Sequence, residues 1–366
     1  MLETVFSPIR VGSIEIPNRL VVPAMVMSYC NADGTATERY LAYHEAKARG
    51  GWGVIITENY AVVPEGRGFP NIPGLWDDSQ IQGHAELTRR VHDAGGIIFA
   101  QIYHCGRQTT RRVIGSQPVA PSPIPCPSIG KMPRELTLHE IRAIVEAFGD
   151  CALRAQRAGF DGIEVHGAHG YLIAQFMSLH ANKRTDGYGG PLTNRLRFPL
   201  EVLVDIRSKV GSNFPVIFRI SGDELVPGGR AIEETKTIVQ TLERAGIDAV
   251  HVSVGTYGSG YAITPPAAVA HGWITGYARE VKRVVSIPVI TVGRITDPHL
   301  AETIVAGGTA DLVAMGRASL ADPDLPNKAA AGRFGEINHC IGCMQGCAEM
   351  ISRYQPATCL VNPTLG

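Results

Sequence analysis

Four cysteines near the C-terminal end, Cys340-x₂-Cys343-x₃-Cys347-x₁₁-Cys359, carry the sharpest chemical signal in the chain. Four thiolates can close a tetrahedral site, and both Zn²⁺ and a [4Fe–4S] cluster accept four. A zinc site commonly reads as two Cys-x₂-Cys halves. Here three ligands fall close together and one lies apart, a distribution that favours the cubane, with zinc or no metal as the other readings. The remaining cysteines, Cys30, Cys105, Cys126 and Cys151, are scattered. A cluster moves one electron at a time, so it implies a redox partner nearby.

A second constellation is His166-Gly167-Ala168-His169-Gly170-Tyr171. An imidazole can donate a hydrogen bond to a substrate carbonyl, and a phenol can give a proton. One isolated histidine would read as a satisfied structural residue; three such groups in one short motif point to function. Arg219 closes the apolar run Val216-Ile217-Phe218 and needs either a structural ion pair or an anionic cofactor. Gln101 makes a similar, weaker claim. Gly293-Arg294 and Gly316-Arg317 each combine a backbone that can approach a phosphate with a forked cationic donor.

These residues need a scaffold, and its pattern is regular. Eight short β-branched runs, Leu20–Ala24, Gly53–Thr57, Gly96–Ile102, Asp161–His166, Pro215–Ile220, Asp248–Ser253, Ile287–Thr291 and Asp311–Met315, alternate with amphipathic stretches. Those stretches are Thr37–Arg49, Ser79–Ala94, Thr137–Ala158, Arg195–Val210, Ala231–Ala245, Gly272–Val285, Asp297–Ala306 and Asp322–Ala331. Near-continuous apolar runs suit strands buried on both faces. Gly95, Gly159 and Gly246 read as helix C-caps, and Thr137, Asp297 and Asp322 as N-caps. Strict alternation predicts an α/β fold, a (β/α)₈ TIM barrel over 1–335, followed by a C-terminal iron–sulfur cluster segment over 336–366. A doubly wound sheet would show a Gly-rich turn after its first strand, and Pro23-Ala24-Met25 is not one. The histidine motif, Arg219 and both Gly-Arg pairs then fall at strand C-terminal ends, where barrels keep their active sites. Barrels commonly bind phosphate in the last two of these loops.

Composition excludes other classes. The 366 residues are 45% hydrophobic, and Lys+Arg and Asp+Glu both total 34. No basic stripe suggests nucleic acid and no polybasic run suggests a membrane surface. Met1–Asn18 lacks the apolar core of a signal peptide, and runs such as Gly96–Ile102 are too short to span a bilayer. The expectation is a cytoplasmic protein. Arg107, Arg111 and Arg112, in the long Tyr103–Pro133 loop, read either as a solvated face or as contacts for a CoA phosphate or carboxylate.

Together these motifs resemble the Old Yellow Enzyme family of NADH:flavin oxidoreductases. The similarity is to its iron–sulfur branch, which includes 2,4-dienoyl-CoA reductase, enoate reductases, bile-acid 3-oxo-Δ4 reductases and trimethylamine dehydrogenase. The resemblance runs from Phe6-Ser7-Pro8 and Asn18-Arg19 through the histidine motif. It continues through Asn182-Lys183-Arg184-Thr185-Asp186, Tyr188-Gly189-Gly190 and Asn194-Arg195, then Val313-Ala314-Met315-Gly316-Arg317, and ends at Cys340-Ile341-Gly342-Cys343. It implies FMN in the barrel. Pro23, Ala24 and Met25 would line the flavin and Asn59 would sit near its pyrimidine side. Gln101 would bond the pyrimidine edge, and Arg219 would stabilise charge at the N1–C2 region of the reduced ring. Gly293, Arg294, Gly316 and Arg317 would hold the phosphate. His166 and His169 would grip an electron-withdrawing carbonyl while Tyr171 protonates the α-carbon after hydride leaves flavin N5 for the β-carbon.

The implied activity is ene-reduction of an enone, enoate or enoyl-CoA, with an amine dehydrogenase or N-demethylase of the same architecture as the alternative. A zinc-stapled barrel acting as a binding or relay subunit is the reading from another class. Tyr257 stands where dienoyl-CoA reductases carry a second proton-relay histidine, which weakens a dienoyl-CoA assignment; Tyr257 and His180 are the substrate-contact candidates. Met25 stands where trimethylamine dehydrogenase carries its flavin-linking cysteine, and the third cluster cysteine follows at a different spacing, so both argue against an amine enzyme. Larger members continue into FAD- and NAD(P)H-binding domains. No dinucleotide fingerprint is present here, so NAD(P)H electrons would come through a further C-terminal region or a partner subunit. Relatives often self-associate, so a homo-oligomer is expected.

Overall fold

Each of the eight apolar runs forms a strand in the computed structural model, which describes residues 2–365. They are β1 Leu20–Val22, β2 Val54–Ile56, β3 Ile98–Tyr103, β4 Gly162–Gly167, β5 Val216–Ser221, β6 Ala249–Ser253, β7 Val289–Thr291 and β8 Leu312–Ala314. All their residues are buried. Every neighbouring pair is parallel, and β8 pairs with β1, so the sheet closes on itself. The chain is the (β/α)₈ barrel that the alternation predicts.

The helices are α1 Glu38–Arg49, α2 Ile81–Asp93, α3 Leu138–Arg157, α4 Arg197–Val210, α5 Ile232–Arg244, α6 Thr275–Lys282 and α7 Pro298–Ala306. After β8 come two short ones, α8 Gly316–Ala321 and α9 Leu325–Ala330. Thr137 caps α3 in a reciprocal box with Glu140, and Asp297 caps α7 through the His299 N–H. Gly95, Gly159 and Gly246 take φ of +79°, +84° and +92°, as stops after α2, α3 and α5 require. Asp322 is a correction. It ends α8 in an extended conformation ahead of Pro323, and although its carboxylate accepts the Asp324 N–H at 3.0 Å, the next helix begins only at Leu325.

Strand alternation sorts the interior into layers. Phe99, Ile217 and Ala249 pack with Val11 and Ile16 of an N-terminal hairpin, Ile9–Val11 with Ile14–Ile16, which plugs that end of the barrel. Two residues on along the same strands, the inward positions become polar: Gln101, Glu164, Arg219 and His251. Two further on stand Tyr103, His166, Ser221 and Ser253, at the open end.

The cysteine segment folds back over that open end. The Ala357 N–H donates to the Met27 carbonyl at 3.0 Å, and Tyr29 Oη donates to the Ala357 carbonyl at 2.6 Å. Ile337, Ala357 and Leu365 join the main hydrophobic core. Among the described residues no helix is long and apolar enough to cross a membrane.

Candidate active site

At the C-terminal end of the strands lies a cavity of about 540 Å³, a size typical of small-molecule sites. Nearly all the residues singled out from the sequence line it: Pro23, Ala24 and Met25 after β1, Asn59 after β2, Gln101, Arg219 and the histidine motif with Tyr171. Tyr257, Gly293, Arg294, Gly316 and Arg317 complete that set. His180 does not join them. The chain turns away from the rim after the short helix Leu172–Met177, and His180 hydrogen bonds through Nδ1 with the Pro227 carbonyl at 3.1 Å, half-buried and outside the cavity.

One wall carries two imidazoles and two phenols. His166 Nδ1 accepts the Ala168 N–H at 3.2 Å, which leaves its proton on Nε2. His169 sits in the left-handed region, at φ +58°. Its N–H donates to Ser221 Oγ at 3.0 Å, and Nε2 shares a hydrogen bond with Ser253 Oγ at 2.7 Å. Burial, together with Arg219 and His251, holds both imidazoles well below the usual histidine range, so both are neutral near pH 7. Tyr171 packs against His166 with ring centroids 4.8 Å apart. Its hydroxyl bonds the Tyr257 hydroxyl at 2.8 Å. Burial pushes both phenols up, so Tyr171 keeps its proton until a stronger base appears.

Cationic groups line the rest of the cavity, starting with Arg219 beside His166. Arg219 donates to the Ala24 carbonyl at 3.3 Å, and its Nε has no partner. Asn59 Oδ1 and Arg317 Nη1 are likewise buried and unpaired. Buried polar atoms normally have partners, so three orphans around one cavity mark places for a ligand's polar groups. Gly293 takes φ +128°, and a Cβ there would meet Ile274 Cγ1 at 2.5 Å. A Cβ on Gly316 would meet Met25 Sδ at 2.9 Å. Arg294 spends a guanidinium N–H on the Val269 carbonyl, so Arg317 is the freer of the two arginines. No Asp, Glu or Lys is among the lining residues. An anionic ligand with a phosphate at the Gly-Arg end and a polar ring near Asn59, Gln101 and Arg219 fits this donor set, as FMN would.

Several participants escaped the sequence reading. Glu164 accepts from Gln101 Nε2 at 2.6 Å and from His251 Nδ1 at 2.6 Å, beneath Arg219. A charged residue within an apolar strand run, in register with Gln101 on β3, was the available signal. Glu58 accepts the Met27 N–H at 2.8 Å and the Ser28 N–H at 3.3 Å; burial pushes its carboxyl up to about 8. Phe69, Ile351 and Tyr354 line the cavity as well, the last two contributed by the cysteine segment. Arg107 turns inward to the Ile124 and Pro125 carbonyls, and Arg111 and Arg112 are exposed; none of the three lines the cavity.

Cys340, Cys343, Cys347 and Cys359 all border one small space of about 20 Å³. None is in a disulfide. Among the described residues, no three His, Cys, Asp or Glu side chains are grouped to hold a metal ion. Arg317, Leu320 and Cys347 border both this space and the large cavity.

The model of the NADH:flavin oxidoreductase / NADH oxidase family matches residues 4–336. The chain is 48% identical over 364 residues to an NADH oxidase of Thermoanaerobacter brockii, covering 99% of this chain and 56% of that protein. It is 36% identical over 386 residues to a cinnamate reductase of Clostridium sporogenes, covering 100% and 58%. Among solved structures, a 2-naphthoyl-CoA reductase in complex with 2-naphthoyl-CoA superposes with a TM-score of 0.97 at 31% identity, covering 100% of this chain and 58% of that one. The chain thus spans little more than half the length of these three relatives.

Proposed function

The chain belongs to the NADH:flavin oxidoreductase / NADH oxidase family, and on that premise we propose that it is an FMN-dependent ene-reductase acting on the C=C bond of an α,β-unsaturated carbonyl compound. The observation that carries this reading is the donor wall: a neutral His166 with its Nε2 proton free, beside a protonated Tyr171. His166 would hold the substrate carbonyl, with His169 beside it presenting the edge it shares with Ser253. Tyr171 would give its proton to the α-carbon, and Tyr257, 2.8 Å away, would pass it a replacement. Pro23, Ala24, Met25, Asn59, Gln101 and Arg219 would hold the FMN ring, and Gly293, Arg294, Gly316 and Arg317 its phosphate. FMN bound there supplies the hydride for the β-carbon.

The four cysteines would hold a [4Fe–4S] cluster, which supplies one-electron transfer. Their shared space supports this, as does the position of Cys347 and Arg317 between the two cavities. An FAD- and NAD(P)H-binding region or subunit would feed it. An amine, the other substrate class open to this architecture, would bring a cation to a cavity with no carboxylate in its lining.

Tyr171→Phe tests the reading. The variant is expected to keep FMN and lose enone turnover by about 10²–10⁴-fold, the range for a positioned general acid. Wild-type turnover with dithionite-reduced protein would refute it, as would flavin bleaching by amines but not by saturated carbonyl compounds run in reverse.

A further inference from the structure

Beneath the cavity floor lies a carboxylate that the chemistry above leaves unused. Glu164 and His251 have wholly buried side chains, and Glu164 Oε2 accepts from His251 Nδ1 at 2.6 Å. Its other oxygen accepts from Gln101 Nε2 at 2.6 Å. Gln101 and Arg219 line the cavity; Glu164 and His251 do not. Arg219 is paired in register with His251 on β6 and with His166 on β4, and Glu164 stands two residues before His166 on the same inward face. Buried ionic groups seldom add stability over apolar packing, so this layer calls for another role.

We infer that Glu164 is a positioning residue for the flavin: it fixes the Gln101 amide and offsets the Arg219 charge, and so sets the flavin's reduction potential. The inference rests on the FMN reading above. Two steps carry it. A carboxylate only accepts hydrogen bonds, so it locks the Gln101 nitrogen toward itself and leaves the amide oxygen and one N–H for the ring. A negative charge behind Arg219 also weakens the pull of the guanidinium on electrons added to the ring, undiminished by bulk water at this depth. The large cavity holds three arginines and no acid in its lining, so this offset comes from behind the wall.

The test is the flavin midpoint potential of the FMN-loaded chain, with the FMN Kd measured beside it. Glu164→Gln is nearly isosteric and keeps both hydrogen bonds if His251 changes tautomer. It is expected to raise the ratio of reduced to oxidised flavin at fixed potential at least tenfold, about 30 mV for a two-electron couple. His251→Gln can still donate to Glu164 and is expected to stay within twofold of wild type. A Glu164→Gln protein that binds FMN at the wild-type potential overturns the inference and leaves the FMN reading intact. Should Glu164→Gln fail to fold, Glu164→Asp decides: it keeps the charge, so a potential within twofold of wild type supports the inference and a larger shift overturns it. A wild-type chain that takes up no FMN overturns the FMN reading first, and this inference with it.

Discussion

The rim after β4 and the cysteine segment are the two regions on which the proposed chemistry rests, yet they are organised in opposite ways. His166, His169 and Tyr171 are set by strand register and by hydrogen bonds to Ala168, Ser221, Ser253 and Tyr257. None of these depends on a ligand. The cysteines sit on chain with little regular structure, a five-residue π turn and one helical turn, with Met344 and Tyr354 at positive φ. All four cysteines border one small space. The barrel site is held by strand register and local hydrogen bonds, while the segment has little regular structure of its own; the cluster proposed above would add its binding energy to the segment's folding energy.

The largest expected effect sharpens that contrast. Cys343→Ser should abolish the iron-dependent absorbance and turnover with electrons from NAD(P)H through a reductase partner. It should also open the segment to limited proteolysis while FMN stays bound and chemically reduced protein still turns over. Loss of FMN together with the iron would break the comparison, because the barrel site would then depend on the segment.

Glu58 ties the cysteine segment to the barrel's open end after β1 and β2, since it accepts the Met27 N–H while the Met27 carbonyl receives the Ala357 N–H. Its carboxyl is pushed up to about 8, mainly by burial. The folded protein therefore holds a proton that the unfolded chain releases above about 4.5. Stability from this residue is fully present below that value and falls as pH rises toward 8, by about 1.4 kcal/mol per unit. Urea unfolding at pH 5.5 and 7.5 should show a steep decline for wild type and a flatter one for Glu58→Gln, the difference amounting to about 3 kcal/mol. Equal slopes would show that Glu58 does not couple the regions through its proton.

Arg317 tests the border from the other side, as it lines both cavities with a buried N–H unpaired. Arg317→Ala should weaken FMN by about 1.5–3 kcal/mol, the usual range for a hydrogen bond to a charged group, or roughly 10- to 100-fold in Kd. Fluorescence titration of the apoprotein reads this directly. An unchanged Kd would assign the phosphate end to Arg294 alone.

Legibility in the sequence follows the same division. The eight strands announce themselves as apolar runs bounded by glycine or proline, and the residues that close those runs fall on the rim by their position in the alternation alone. The plug hairpin escapes notice although Ile9–Ile16 alternates around Gly12, whose φ is +56°, because three-residue strands are too short to stand out. Glu164 and His251 are hidden inside runs that read as core. His180 misleads because position along a loop says nothing about the direction in which the loop leaves the rim. The docking of the cysteine segment is invisible for a different reason: the Met27–Ala357 contact is backbone to backbone, and backbone hydrogen bonds leave no mark on residue type.

The smallest effect comes from a site that touches neither region. Thr137 opens α3 on the barrel's outer ring, where its Oγ1 accepts the Glu140 N–H at 3.3 Å and the Glu140 carboxylate accepts the Thr137 N–H at 2.8 Å. Thr137→Ala removes one half of that box and should cost about 1 kcal/mol in chemical denaturation. Since α3 leads into β4, the strand that carries the histidine motif, the variant asks whether the preformed rim tolerates a general loss of stability. Unchanged FMN affinity and enone turnover, with lower stability, would mean that register and local hydrogen bonds hold His166 and Tyr171 in place. A parallel loss of turnover would mean that the rim is no more self-sufficient than the cysteine segment, and the contrast between the two would fail.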